Sequence, residues 1–353
     1  MVKVCTMPQP HDVTIYDIAK YLKVSASTVS RGLQNNPVIS KNTRKKIVEA
    51  AKILGYQSNT FASSLRSKQT HTIGVMVPRL HSYFMSSVLA GMENSASKQG
   101  YNLIIAQSLE DAAKEKLNAA TMFNKRVDGL LISLSYDTQD LTHLEPFFRK
   151  KIPVVFFDRV DHQNDSISVV IDNYTASYNI TRHLIEQGCV RIMHLGGNVL
   201  RNVYKERLDG YRQALKDSSL PFLDYFHLTS VLSEETGTEA ARYILDLAPD
   251  ERPDAVFSAN DTAAVYCMIA LKAAGLRIPQ DIAFAGFNND AISKVVEPNL
   301  TTVDYPGDIM GNTAVTYLIN HLKGISNIYT TNFITLRADV IIRASSLKTI
   351  SSK

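Results

Sequence analysis

After His71 the chain repeats one pattern, a short run of Val, Ile and Leu followed by a longer amphipathic stretch. The runs are IGVMVP, YNLIIAQS, DGLLISLS, IPVVFFD, SVVID, RIMHLGG, DAVFSAN and DIAFAGF. They are apolar at consecutive positions rather than at alternate ones, so a strand built from any of them must bury both faces. That requirement is met by parallel sheets with helices on either side. The intervening stretches, such as MSSVLAGMENSASKQG, NYTASYNITRHLIEQG and DTAAVYCMIALKAAG, have helical texture and end in Gly, the residue best suited to a left-handed helix terminus. There are too many units for one ordinary sheet. The expected fold is α/β, with two doubly wound parallel-sheet lobes.

The N-terminal stretch has a different texture. In VTIYDIAKYLKVSASTVSRGLQ, Ile15, Ile18, Ala19 and Leu22 recur at helical spacing. Thr14 stands as an N-cap, with Asp17 suited to the positive helix start. Val24 is placed to plug a turn, and Ser25 to cap a second helix over Ala26 to about Leu33, with Val29 and Leu33 inward. Ala26, Ser27, Ser30 and Arg31 are left outward, and a short helix showing small polar groups and one Arg suits major-groove reading. Ser40 caps a third helix that packs through Ile47, Ala50, Ala51 and Leu54. The whole reads as an all-α helix-turn-helix head.

A helix-turn-helix can be a mere corner of a helical domain, and charge decides against that here. Residues 1–68 hold 11 Lys and Arg against 3 Asp and Glu, a net of +8. The whole chain carries +4, so residues 69–353 carry −4. A basic head on a mildly acidic body is expected where only the head meets phosphate. Lys41, Arg44, Lys45 and Lys46 cluster where backbone phosphates could be held without reading sequence.

In open parallel sheets ligands sit beyond the carboxyl ends of the strands. Those positions hold Ser82-Tyr83-Phe84, Asp158-Arg159, Asn260-Asp261 and Asn288-Asn289. Aromatic faces beside fork-shaped amide, carboxylate and guanidinium groups suit a polyhydroxylated ligand such as a sugar. Each has a plainer alternative. Asn260 or Asp261 can cap the following helix, Asp158 can pair with Arg159, and Tyr83 and Phe84 can start a packed helix.

Enzymatic chemistry finds no local constellation. The first strand leads into RLHSYF without the glycines that admit a pyrophosphate, and Gly196-Gly197 lacks phosphate-loop spacing. His-Glu-x-x-His, Gly-x-Ser-x-Gly and Cys-x-x-Cys are absent from the sequence. No cofactor, metal or catalytic residue is expected. Cys5, Cys189 and Cys267 share no disulfide or metal spacing, and no apolar run approaches the ~18 residues of a membrane span. With no apolar leader in MVKVCTMPQPHD, a cytoplasmic protein without membrane contact is expected.

VTIYDIAKYLKVSASTVSRGL, ISKNTRKKIVEAAKILGY and NTFASSLRS before THTIGVMVP occur in order at matching spacing. The chain resembles the lac repressor (LacI/GalR) family of bacterial transcription regulators. SANDTAA, GFNND, NLTTVDYP and LRADVIIRASS extend the resemblance to about Ser345. It implies lobes like those of periplasmic binding proteins and the following division. A DNA-binding domain spans 13–57, and a hinge helix and linker 58–70. An effector-binding and dimerisation domain spans 71–346, with an N-lobe of about 71–171 and 302–335 and a C-lobe of about 172–301 and 336–346. It implies a homodimer on a pseudopalindromic operator, switched by a small molecule, most simply a carbohydrate, between the lobes. Implied DNA contacts are Thr14, Ala26, Ser27, Thr28, Arg31 and, in the hinge, Asn59, Ala62 and Leu65, with Leu65 a minor-groove wedge. Implied effector contacts are Tyr83, Phe84, Asp158, Arg159, Arg201, Arg207, Asn260 and Asn288. KERLDGYRQAL carries Arg207, the matched effector clamp. Three positions depart from the family pattern, which often has Pro at Ser58, Arg at Ser63 and Asp at Asn288. ISSK lacks the leucine heptads through which the lac repressor itself forms tetramers.

Overall fold

The computed structural model describes residues 13–56, 69–161 and 166–348. The expected hinge contacts Asn59, Ala62 and Leu65 lie outside them. The chain divides into two compact units, Met1–Thr70 and His71–Lys353.

The first unit has three helices, α1 (Ile15–Leu22), α2 (Ala26–Leu33) and α3 (Lys41–Leu54). Ile18, Val29, Ile47 and Ala50 are almost fully buried at their junction. Local chemistry sets the ends. The Asp17 carboxylate accepts the Thr14 backbone N–H at 2.8 Å and its hydroxyl at 2.7 Å. The Ser25 hydroxyl accepts the Thr28 N–H at 3.1 Å, and Ser40 accepts that of Thr43 at 3.2 Å, each satisfying a helix-start donor. Lys23 closes α1 in the left-handed conformation, φ 54°. Gly32 lets α2 lie against α3, because a Cβ there would collide with the Ile47 side chain.

The second unit holds two sheets. A six-stranded parallel sheet has the order β11-β5-β4-β3-β1-β2. Its strands are β1 (Thr72–Val77), β2 (Asn102–Gln107), β3 (Gly129–Ile132), β4 (Val154–Phe157), β5 (Ser168–Ile171) and, from far along the chain, β11 (Phe333–Leu336). A four-stranded parallel sheet has the order β7-β6-β8-β9, from β6 (Ile192–Gly196), β7 (His227–Thr229), β8 (Ala255–Ser258) and β9 (Ala283–Ala285). Strands β10 (Thr302–Val303) and β12 (Val340–Ile341) form a short antiparallel pair. The continuous apolar runs account for the central strands: β3, β4, β6 and β8 are buried at every position.

The helices are α4 (Tyr83–Lys98), α5 (Ala112–Asn124), α6 (Glu145–Arg149), α7 (Asn173–Glu186) and α8 (Asn202–Asp217). They continue with α9 (Glu234–Asp246), α10 (Asp261–Ala273), α11 (Ala291–Val295) and α12 (Gly307–Leu322). Helices α4 and α12 pack beside the first sheet, α7 and α8 beside the second, and α9 against α10. Gly91 on α4 and Gly311 on α12 make the first pairing close; a Cβ on either would overlap the opposing backbone at Asp308 or Val88. The chain leaves the first sheet after β5, returns after β10 through α12 to β11, and leaves again for β12. Both sheets therefore contribute their carboxyl ends to one cleft. Cys189 and Cys267 are fully buried, and burial pushes the Cys189 thiol up to about 11, so neither is a ready nucleophile.

Candidate effector cleft and DNA-reading surface

A cavity of about 580 Å³ lies between the lobes, with walls from the carboxyl ends of both sheets. Tyr83, Phe84, Asp158, Arg159, Arg207, Asn260 and Asn288 all line it.

From the first lobe, Tyr83 is half exposed at the start of α4, whereas Phe84 is buried and stacks on Tyr305 with ring centroids 4.0 Å apart. Asp158 follows β4 with φ 60° and does not pair with its neighbour Arg159. Its carboxylate accepts the Tyr305 hydroxyl at 2.7 Å and the Ser133 hydroxyl at 3.1 Å. Arg159 turns elsewhere. Its Nη1 donates to Glu110 at 2.7 Å, its Nη2 donates to the Tyr204 hydroxyl at 3.2 Å, and its guanidinium lies 4.4 Å from the Tyr136 ring centre. The Tyr136 hydroxyl also donates to that of Tyr204, at 2.9 Å. Tyr136 comes from the first lobe and Tyr204 from α8 of the second, so the two phenols and one guanidinium tie the lobes together. Burial is the main reason the Tyr136 phenol is harder to ionise than usual.

From the second lobe, Arg207 lies one turn after Tyr204 on α8, facing the same way. Its Nε donates to Asn173 at 2.9 Å and its Nη1 to the Ala259 carbonyl at 2.7 Å, while the Phe287 ring sits 3.6 Å beneath the guanidinium. Those contacts hold the fork rigid where it forms cavity wall. Asn260 is both wall and helix cap, accepting the Ala263 N–H at 2.9 Å and donating to the Leu232 carbonyl at 2.8 Å. Asn288 is held at φ 113° beside Asp290. Gly197, after β6, gives the Tyr204 ring a floor, since a Cβ there would stand 2.6 Å from its Cδ1. That is the structural use of the Gly196-Gly197 pair.

Arg201 requires a correction. It does not line this cavity but a second space of about 390 Å³, where its Nη2 donates to the Thr138 carbonyl at 2.5 Å. It begins α8 one and a half turns before Arg207, and that spacing points it to a different wall. Sequence reasoning also missed Glu110, Tyr136, Tyr204, Asp290 and Tyr305, all of which line the cavity. The strand-end rule, applied to β2 and β3, would have found Glu110 and Tyr136. Tyr204 was within reach as the residue three before Arg207.

On the first unit, Ser27 and Arg31 are exposed on α2, and the Arg31 guanidinium has no hydrogen-bond partner among the described residues. Thr28 is half-buried, its hydroxyl 2.8 Å from that of Ser25. Ala26 differs from the outward placement expected: it is half-buried against the head's core, because the turn at Val24 folds α2 back over it. Lys41, Lys45 and Lys46 are exposed, and Arg44 reaches the Asn35 carbonyl at 3.3 Å. Among the described residues no cluster of His, Cys, Asp and Glu could hold a metal, and no helix is long and apolar enough to cross a membrane.

A compact basic helix-turn-helix unit and a two-lobed body with a polar, aromatic inter-lobe cavity define a class: DNA-binding proteins with a periplasmic-binding-protein-like receptor. Residues 14–59 match the family model for bacterial regulatory proteins of the lacI family. Residues 70–348 match that for periplasmic binding proteins and the sugar-binding domain of the LacI family. The chain belongs to the LacI family of transcriptional repressors, with a DNA-binding domain followed by an effector-binding domain. Catabolite control protein A of Priestia megaterium is 32% identical over 313 residues, covering 88% of this chain and 93% of that protein. The repressor PurR of Aliivibrio fischeri (strain MJ11) is 32% identical over 311 residues, covering 88% and 92%. Among solved structures, the lac repressor dimer bound to operator and the anti-inducer ONPF superposes with a TM-score of 0.85 at 25% identity, covering 96% of this chain and all of that one. The complex of the regulator CelR with cellobiose gives 0.71 at 26% identity, covering 94% and 99%.

Proposed function

We propose that this protein is a cytoplasmic repressor that binds a pseudopalindromic operator as a homodimer and is switched by a carbohydrate in the inter-lobe cleft. The observation that carries the reading is the cavity itself. It combines aromatic faces (Tyr83, Phe84, Tyr305) with amide, carboxylate and guanidinium forks, the mixture that engages a ring with many hydroxyls. Cellobiose in the CelR complex supports the same ligand class. The proposed division of labour keeps 13–57 for DNA, 58–70 for the hinge and 71–346 for effector and partner. In it Arg31 supplies a bidentate guanine contact, with Thr14, Ala26, Ser27 and Thr28 around it and Asn59, Ala62 and Leu65 at the operator centre. Tyr83, Phe84, Asp158, Arg159, Arg207, Asn260 and Asn288 surround the effector. The dimer reading is supported by Ile105, Leu109 and Leu117, apolar and exposed on or near edge strand β2 and helix α5.

The test is selection of the purified chain against random duplex DNA at near-physiological salt. A palindrome is expected, with affinity falling steeply as salt rises. Arg31→Ala should weaken the selected site by ~1–3 kcal/mol and relax preference at one base pair of each half-site. Selection of no sequence in the presence or absence of sugars, or a flat salt dependence, would refute the reading.

A further inference from the structure

The acids on the cavity wall are not equivalent. Glu110 is taken by Arg159 and by the Tyr136 N–H at 3.2 Å. Asp158 is taken by Ser133 and Tyr305. Beneath the wall, Asp261 is fully buried with both oxygens bound, one by the Thr302 hydroxyl at 2.6 Å and the other by the Asp290 N–H at 2.7 Å. Among the buried acids Asp290 is the exception. It is 8% exposed, it lines the cavity, and its Oδ1 is buried without a hydrogen-bond partner among the described residues. Its backbone is fixed on both sides, the N–H by Asp261 and the carbonyl by the Ser293 hydroxyl at 2.6 Å. The Asn288 side chain hydrogen-bonds the carboxyl, but Oδ1 stays without a donor while the backbone holds it in position. That is costly for a buried ionised group unless a donor arrives.

We infer that Asp290 is a specificity-determining residue of the cleft, selecting effectors that present a hydroxyl or amine donor at that end of the cavity and rejecting anionic groups there. The inference rests on the proposed effector role of the cleft and adds the chemistry of one subsite. Arg207 lines the same cavity and offers donors, so a molecule meeting both residues needs acceptors for the one and donors for the other. Hydroxyl groups supply both. Asn288, standing where the resembling family has an acid, relieves the site of a second like charge beside Asp290.

Burial pushes the Asp290 carboxyl up to about 6, the Asn288 side chain pulling it back. Asp261 on α10 lies against it, and Arg207 on α8 lines the same cavity. Glu234 and Glu235 stand at the start of α9, Arg343 after β12, His81 on the opposite wall and Lys294 on its own helix. A donor group binds the charged carboxylate more strongly than the neutral acid, so affinity should fall as pH drops through that value, by up to about tenfold between pH 7.5 and pH 5.

The experiment is calorimetric titration of the full chain with glucose, ribose, cellobiose and glucosamine at pH 7.5 and 5. It is run on the wild type, Arg207→Ala and the near-isosteric Asp290→Asn. Support is a probe that binds the wild type, loses affinity by up to about tenfold at pH 5, and binds Asp290→Asn at least tenfold more weakly with the pH dependence gone. A probe lost with Arg207→Ala but indifferent to both pH and Asp290→Asn overturns the inference and leaves the cleft reading standing. If no probe binds the wild type, the carbohydrate reading falls and this inference with it. Should Asp290→Asn not fold, Asp290→Ser is titrated in its place with the same two outcomes.

Discussion

Tyr204 offers the sharpest test of how the two lobes are held together. Its hydroxyl accepts from Arg159 at 3.2 Å and from Tyr136 at 2.9 Å, and all three side chains are largely buried. Tyr204→Phe removes one oxygen and leaves two donors from the other lobe without it. A charge-assisted bond of about 1.5–3 kcal/mol and a neutral one of about 0.5–1.5 kcal/mol are lost together, giving a destabilisation of about 2–4 kcal/mol. Tyr136→Phe loses only the neutral bond, about 1 kcal/mol. Because that bond is counted in both single variants, the double variant should be less destabilised than their sum by about 1 kcal/mol. Urea unfolding of the wild type, both singles and the double, followed by circular dichroism, measures the coupling directly. Limited proteolysis of the native proteins reports separately whether the cleft opens. Additivity within about 0.3 kcal/mol would refute the reasoning, because it would mean the two phenols do not meet across the cleft.

Two further outcomes follow from the packing. His194 is fully buried, its Nδ1–H donating to the Phe257 carbonyl at 3.1 Å, and burial with neighbouring His227 depresses its pKa to about 3. The folded state thus holds fewer protons than the unfolded one below pH 6.5. Stability should be intact above that pH and fall through the window from 6.5 towards 3, at up to about 1.4 kcal/mol per unit, with His183 and His227 adding in the same direction. His194→Phe should flatten the slope of unfolding free energy between pH 6.5 and 5; an unchanged slope would place the protonation elsewhere. Gly311→Ala puts a methyl group into the Val88 backbone and should force α12 away from α4, lowering stability by about 1–3 kcal/mol. A variant as stable as the wild type in urea would show that the helices are not that close.

What the chain states by itself is local. Caps such as Ser25 and Ser40 act over three residues, and apolar runs such as VVFF bury both faces wherever they land, so the head and the doubly wound lobes were legible from spacing. Six of the eight expected cleft residues were named from strand ends, which converge in a parallel sheet whatever the intervening helices do, and Arg207 from the family resemblance. Tertiary structure decided which polar groups spend themselves on one another. Arg159 meets Tyr204 across 45 residues, and Tyr305 meets Asp158 across 147. Neither Arg201, drawn off to Thr138, nor Asp290, left short of a donor, carries any local mark of its fate. Helix and strand signals arise from neighbours a few positions away. A cleft is made by side chains from distant segments competing for the same donors, and that competition exists only once the lobes have closed around it.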